Sequence, residues 1–177
     1  MQLIMVNRSI HYEAAFEDYL RAKGLPYVGV DEGRKAIFRS VKLKSFDFIV
    51  YSETGPNLLV DVKGRKFPDM ISGRHRGKVK AWENWVTRDD IDGLGQWEGV
   101  FGEKFQAVFV FAYWLQGPPE RSPLEDVHFF RENYYAFTAI TLEDYLAEAK
   151  PRSEKWKTLG MPSAKFAQKA KDIAKLL

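Results

Sequence analysis

The run Phe105 to Leu115 constrains the fold of this 177-residue chain more than any other segment. It is almost wholly apolar, broken by Gln106 and closed by Gln116. Its length and its Val and Phe content predict a central strand buried on both faces, because a strand with one solvated face alternates apolar and polar residues.

The flanking segments supply layers for such a strand. Ile10 to Lys23 is expected to be a helix, with Ser9 as its cap and Gly24 and Pro26 ending it. Tyr12, Phe16, Tyr19 and Leu20 mark its buried face. An extended piece, Tyr27 to Val30, precedes a polar turn around Asp31 to Lys35. Phe46 to Tyr51 and Leu58 to Lys63 are predicted strands joined by the turn Glu53 to Asn57, hence a hairpin. Gly64 opens a basic stretch, expected as a loop through Ser72 to Lys78. A helix is expected within Lys80 to Val100, with Asp89 or Asp90 capping its second part. Beyond a proline-bearing loop, Gly117 to Asp126, come one or two strands in Val127 to Ile140. Thr141 should cap a helix over Leu142 to Ala149, and Ser163 to Leu177 is expected to be a basic helix. The resulting order is α-β-β-β-α-β-β-α-α, an α/β chain with a mixed sheet flanked by helices. Residues 1–149 are read as one α/β domain, and residues 150–177 as a basic helical extension on or beside it.

A hydrophobic fraction of 45% and an aromatic fraction of 15% are enough for a core without covalent or metal staples. The absence of cysteine removes thiolate catalysis and cysteine-ligated zinc. His11, His75 and His128 do not fall at metal-ligand spacing. No serine-nucleophile motif, Walker loop or dinucleotide fingerprint is present. The apolar patch Leu3 to Val6 is too short for a signal core, and no apolar run approaches the roughly 18 residues of a membrane span. A soluble, cytoplasmic protein with no membrane partner is the expectation.

Chemistry concentrates on the hairpin. Asp61 and Lys63 alternate with Val60 and Val62, so the two ionisable side chains share one face and the valines share the other, core-facing one. Asp47 interrupts the preceding strand among Phe46, Phe48, Ile49 and Val50. Charges on interior strands are costly unless compensated. Two carboxylates and a backbone carbonyl suit a hard divalent cation, magnesium (Mg2+) or manganese (Mn2+), with water in the remaining positions. Lys63 beside it would orient water or offset developing negative charge. Glu13 and Glu17 share a helix face, and either could complete the cluster.

Glu13 and Glu17 on a first helix, then Asp47, thirteen intervening residues and Asp61-Val62-Lys63, resemble the PD-(D/E)XK nuclease superfamily. The element order is similar to that of archaeal Holliday-junction resolvases. The resemblance covers about the first 115 residues. Phe46 stands where the family pattern has proline, and Asp61 where it often has glutamate. It implies a restriction-endonuclease-like α-β-β-β-α-β core, hydrolysis of phosphodiester bonds in nucleic acid, DNA above all, and frequent action as a homodimer. It assigns metal binding to Asp47, Asp61 and Glu13 or Glu17, and water activation to Lys63. It also makes Gln96, on the helix after the lysine strand, a polar candidate.

Charge distribution supports a nucleic-acid partner. Lys63, Arg65, Lys66, Arg74, Arg76, Lys78 and Lys80 follow the acids, against the single acid Asp69. Arg65, Lys66, Arg74, Arg76 and Lys78 are the expected phosphate contacts. Residues 150–177 carry eight basic residues and two acids, net +6, although the whole chain is only +3. Trp82, Trp85 and Trp97 could stack on bases, or pack in the core. Two other readings stay open: a nuclease-fold module that binds nucleic acid without turnover, and a structural or interaction domain in which Asp61 and Lys63 merely pair.

Overall fold

In a computed structural model, residues 8–30, 44–69 and 82–177 are described. The first part comprises α1 (Arg8–Ala22), β1 (Tyr27–Gly29), β2 (Phe48–Val50), β3 (Asn57–Phe67), β4 (Val86–Thr87) and α2 (Arg88–Phe101). Then follow β5 (Phe105–Leu115), β6 (Val127–Phe130), β7 (Asn133–Thr141), α3 (Leu142–Glu148), β8 (Lys150–Ser153), β9 (Thr158–Gly160) and α4 (Ser163–Lys169). A six-stranded sheet has the order β1-β2-β3-β5-β7-β6, and a three-stranded sheet the order β4-β9-β8. β3 and β5 pair in parallel from Asn57↔Phe105 to Phe67↔Leu115, and the other pairs of the large sheet are antiparallel. The turn around Asp31 and the segment Ser72 to Lys78 lie outside the described residues.

β5 is buried on both faces, as its composition requires. Val108, Val110 and Ala112 meet Phe16, Tyr19 and Leu20 of α1. Ala107, Phe109, Phe111 and Tyr113 join Ile91 and Leu94 of α2, Leu142 and Tyr145 of α3, and Phe166 of α4. Small and β-branched side chains therefore face one helix, while aromatic ones fill the wider layer under three. This is a mixed α/β architecture, a mixed sheet with α1 on one face and three helices on the other.

Five local expectations change. α1 begins at Arg8, so Ser9 lies inside the helix rather than at its cap. The face of β3 that carries Asp61 and Lys63 is not the solvent side: Leu59 and Phe67 on it belong to the second core cluster. β3 does not end at Lys63 but stays in register with β5 to Phe67, so Gly64 to Phe67 is strand rather than loop. α2 is capped by Thr87, with Asp90 as the reciprocal partner of a capping box, rather than by Asp89 or Asp90. The C-terminal region is helical only over α4 and a short 3-10 turn, Ile173–Lys175. Extended backbone at Ala170 (φ −68°, ψ 137°) stops α4, and Lys171 then exchanges two backbone hydrogen bonds with Ala139 of β7. β8 and β9, too short and polar to read from sequence, build the second sheet with β4.

At Gly64 α1 packs tightly onto the sheet. A Cβ there would lie 2.1 Å from the Tyr12 ring, so the ring lies flat on bare backbone. Gly64→Ala is expected to destabilise the fold by about 1–3 kcal/mol through overpacking. Gly99→Ala, inside α2 with open space around it, should instead be neutral or stabilise by up to about 1 kcal/mol. Urea unfolding of both variants tests the pair.

Candidate active site

β2 runs antiparallel to β3 only as far as Phe48↔Val60. Asp47, just before it, donates its backbone N–H to the Val60 carbonyl at 2.8 Å. Its carboxylate Oδ2 accepts the Val62 N–H at 2.7 Å, taking the place a continued β2 backbone would have filled. Among the described residues no strand pairs with this edge of β3 beyond Val60. The hairpin thus opens at the acids.

On the α2 side, Lys63 Nζ lies 2.9 and 2.8 Å from the two Asp61 oxygens and 2.9 Å from Asp90 Oδ1. Asp61 is 6% exposed and Asp90 4%. Asp90 is held by its helix start: Oδ2 accepts the Thr87 N–H and hydroxyl, each at 2.7 Å, and Thr87 Oγ1 accepts the Asp90 N–H at 3.1 Å. Lys44 Nζ also pairs with Asp90 Oδ1. The Lys44 carbonyl accepts the Trp97 indole N–H at 3.0 Å, and a Cβ on Gly93 would meet that carbonyl at 3.0 Å. α2 is therefore seated on the Lys44 backbone, with its first turn over Lys63.

Electrostatics divides the acids. Burial, then the charge of Asp61, pushes the Asp47 carboxyl up to about 8, against the Val62 N–H; Glu13 adds to the rise. Burial likewise raises Asp61, with Lys63 opposing and Asp90 adding. Asp90 goes the other way: burial is outweighed by Lys63, Lys44 and Thr87, which hold it well below the usual carboxylate range. Burial works against the Lys63 ammonium, but Asp61 and Asp90 overcome it and raise its pKa.

Asp47, Asp61 and Lys63 thus come together, with Glu13 close enough for its charge to act on Asp47. Glu17 does not join them. It accepts from the Tyr27 hydroxyl at 2.9 Å and pairs with Arg21 at 2.8 Å, one turn further along α1. Gln96 is exposed. Trp82 and Trp97 pack among core aromatic rings. Arg74, Arg76 and Lys78 lie outside the described residues. Arg65 is half-buried, its guanidinium 4.1 Å from the Trp85 ring and donating to the Gly64 and Trp85 carbonyls, which makes it a brace of the wall. Lys66 is exposed over Trp114, at 5.3 Å. Asp90 and Lys44 were missed. The Thr87-x-x-Asp90 capping signature was in the sequence, but its meeting with Lys63 is a tertiary fact.

An open cleft of about 490 Å³ wraps the free edge of β3, reached by Lys63, Arg65 and Lys66 on the strand and by His11, Trp85 and Trp114 around it. Among the described residues no three His, Asp or Glu side chains converge as a ready-made ligand set. The donors still fit a hard cation. Two neighbouring buried carboxylates, each pushed up in pKa partly by negative neighbours, are what a small cation would relieve, with the Val62 carbonyl and water as further oxygen ligands.

The chain has the restriction-endonuclease-like fold. Among solved structures it resembles the Holliday junction resolvase Hjc of Archaeoglobus fulgidus, with a TM-score of 0.55 at 14% identity, over 94% of this chain and 97% of that one. No family model matches the chain, and no curated protein matches it by sequence. Among the described residues no helix is long and apolar enough to cross a membrane.

Two outcomes are expected. Asp90→Ala removes a cap and leaves Lys63 short of a counter-charge in a buried setting, and should destabilise by about 3 kcal/mol; chemical denaturation measures it. A carboxyl whose pKa is higher folded than unfolded stabilises most below the unfolded value and loses that contribution as pH rises to the folded one. For Asp47 that window runs from the ordinary carboxylate range to about 8. Without divalent metal, the melting temperature should therefore fall from pH 5 to 8, and fall less in Asp47→Asn. Asp90 is ionised throughout this range and does not contribute to the slope.

Proposed function

We propose that this chain is a metal-dependent nuclease that hydrolyses phosphodiester bonds in nucleic acid, DNA in the first instance. One observation carries the reading: Asp47 and Asp61 are brought together at the open end of a hairpin, with a charged lysine on the next same-face position, beside a cleft. The fold shared with a Holliday junction resolvase supports it.

In this reading Asp47, Asp61 and the Val62 carbonyl hold Mg2+ or Mn2+, and Glu13 completes the shell directly or through water. A cation bound there supplies Lewis acidity toward phosphate oxygens and a water of lowered pKa. Lys63 keeps its proton under the influence of Asp61 and Asp90 and sets a positive charge where the phosphate gains negative charge. Asp90 acts through Lys63 as a positioning residue. Lys66 contacts the phosphate backbone at the cleft mouth, and Arg74, Arg76 and Lys78 are proposed further contacts on sequence grounds alone.

A second reading is favoured by one observation: Lys63 closes on both Asp61 oxygens. A permanently closed pair would leave a module that binds nucleic acid without turnover.

Cleavage of plasmid, single-stranded and branched DNA in magnesium and in manganese separates the two. Asp61→Asn and Lys63→Ala should each lower the rate at least about 100-fold. Manganese at about 100 times its Kd should stabilise the wild-type chain by about 2.7 kcal/mol, a rise in melting temperature of about 5–10 °C. Asp61→Asn should show no such rise. Cleavage equal in all three proteins, or absent with every metal, would overturn the catalytic reading. Metal-independent DNA retention without cleavage would establish the second.

A further inference from the structure

A second cavity, about 360 Å³, lies over the small sheet, between Trp85 and the strand β8 that carries Lys150 and Arg152. It adjoins the cleft at β3, because Glu83 and Trp85 line both. Trp85 is the ridge between them. Arg65 packs over its ring at 4.1 Å and Arg152 at 5.5 Å, and Arg152 also pairs with Glu83 at 3.6 Å. Among the described residues the two cavities together are lined by Lys63, Lys66, Lys150, Arg152 and the braced Arg65, against one acid, Glu83.

We infer that the two cavities form one track for an unpaired nucleic-acid strand, which crosses the Trp85 ridge from the cleft beside Lys63 to a second nucleotide site at Lys150 and Arg152. This rests on the nuclease reading and gives it a substrate class: single-stranded nucleic acid, or a duplex with a single-stranded flap, rather than continuous duplex. Size argues for it. Each volume lies in the range of roughly 300–1,000 Å³ typical of sites that engulf one small-molecule-sized group, which suits a single nucleotide. A duplex offers its bases only as edges within its grooves, whereas an unpaired strand can insert them singly and stack them on aromatic side chains. His11 and Trp114 supply aromatic surface on the α1 side of the cleft, with Lys66 over Trp114. Charge argues for it as well, since successive cations along a groove suit a phosphate backbone. The small sheet thereby acquires a role: β9 pairs with both β4 and β8, so it ties Lys150 and Arg152 to the strand that leads into α2.

The test uses the full chain carrying Asp61→Asn, in magnesium, so that binding is read without cleavage. Fluorescence anisotropy compares a labelled single-stranded 12-mer, a blunt duplex of the same sequence and a duplex with a flap. The single strand and the flap should bind at least tenfold tighter than the blunt duplex. Adding Lys150→Glu with Arg152→Gln should weaken single-strand binding at least tenfold and leave the duplex unchanged. It should also reduce the slope of log K against log[salt] by about 1.4, because each lost phosphate contact removes about 0.7 for single strands. Lys150→Glu alone, at an exposed position, should give half that slope change and guards against misfolding of the double variant. Equal or tighter binding of the blunt duplex, or single-strand binding indifferent to both substitutions, would overturn the track while leaving a nuclease possible. Failure to bind any of the three probes would overturn both.

Discussion

The parallel pairing of β3 with β5, buried on both faces, is the constraint from which the rest follows. The middle of such a strand has little solvated surface on which to carry charge, yet β3 holds Asp61, Lys63 and Arg65 there, before it opens to the cleft at Lys66. Each has to be neutralised locally, and each is neutralised differently. Asp61 takes Lys63, Lys63 takes Asp90 as well, and Arg65 takes two backbone carbonyls and the face of Trp85. Those partners come from three separate elements: β3 itself, the first turn of α2 and the segment entering β4. The charges on one strand thereby specify where its neighbours must sit.

The capping box at Thr87 links secondary structure to this electrostatics. Asp90 satisfies orphan donors at the start of α2 with one oxygen and binds Lys63 with the other. A carboxylate in a helix's first turn is favoured by the helix dipole in any case. Here the same group also fixes the angle at which α2 meets the sheet, assisted by Gly93 and Trp97 against the Lys44 backbone. Removing the cap would therefore disturb an ion-pair network as well as a helix end.

How much of this was legible in the sequence differs by residue. The β5 strand, the hairpin, the first helix and the Thr141 cap were readable because apolar period and turn chemistry are local signals. Asp47, Asp61 and Lys63 were legible as a group because two strands joined by a short turn must be neighbours. Glu13 and Glu17 were not separable: both lie on one helix face, and only the pitch of α1 against the sheet decides which reaches Asp47 and which turns to Tyr27 and Arg21. Asp90 and Lys44 were illegible as site residues, since nothing local records that they share Lys63. The small sheet was missed for the same reason. β4 and β9 are too short for periodicity, and they exist only through pairing, β9 lying between β4 and β8.

Lys63 has two counter-ions where one would neutralise it, and the difference between them is informative. Asp90 is anchored by Thr87 and Lys44, and it is held in the ionised state. Among the described residues Asp61 has no such bracing, and burial pushes it toward the protonated state. If Asp61 turns to a cation, or takes up a proton, the lysine keeps a fixed, ionised partner and stays charged and in place. With Asp61 as its only partner, the ammonium would lose its position whenever Asp61 changed state, and desolvation would then favour the neutral amine. The second acid separates the positioning of the lysine from the chemistry of its neighbour. In the proposed nuclease reading, that separation is what an acid-lysine pair needs beyond the mere mutual neutralisation of two buried charges on one strand.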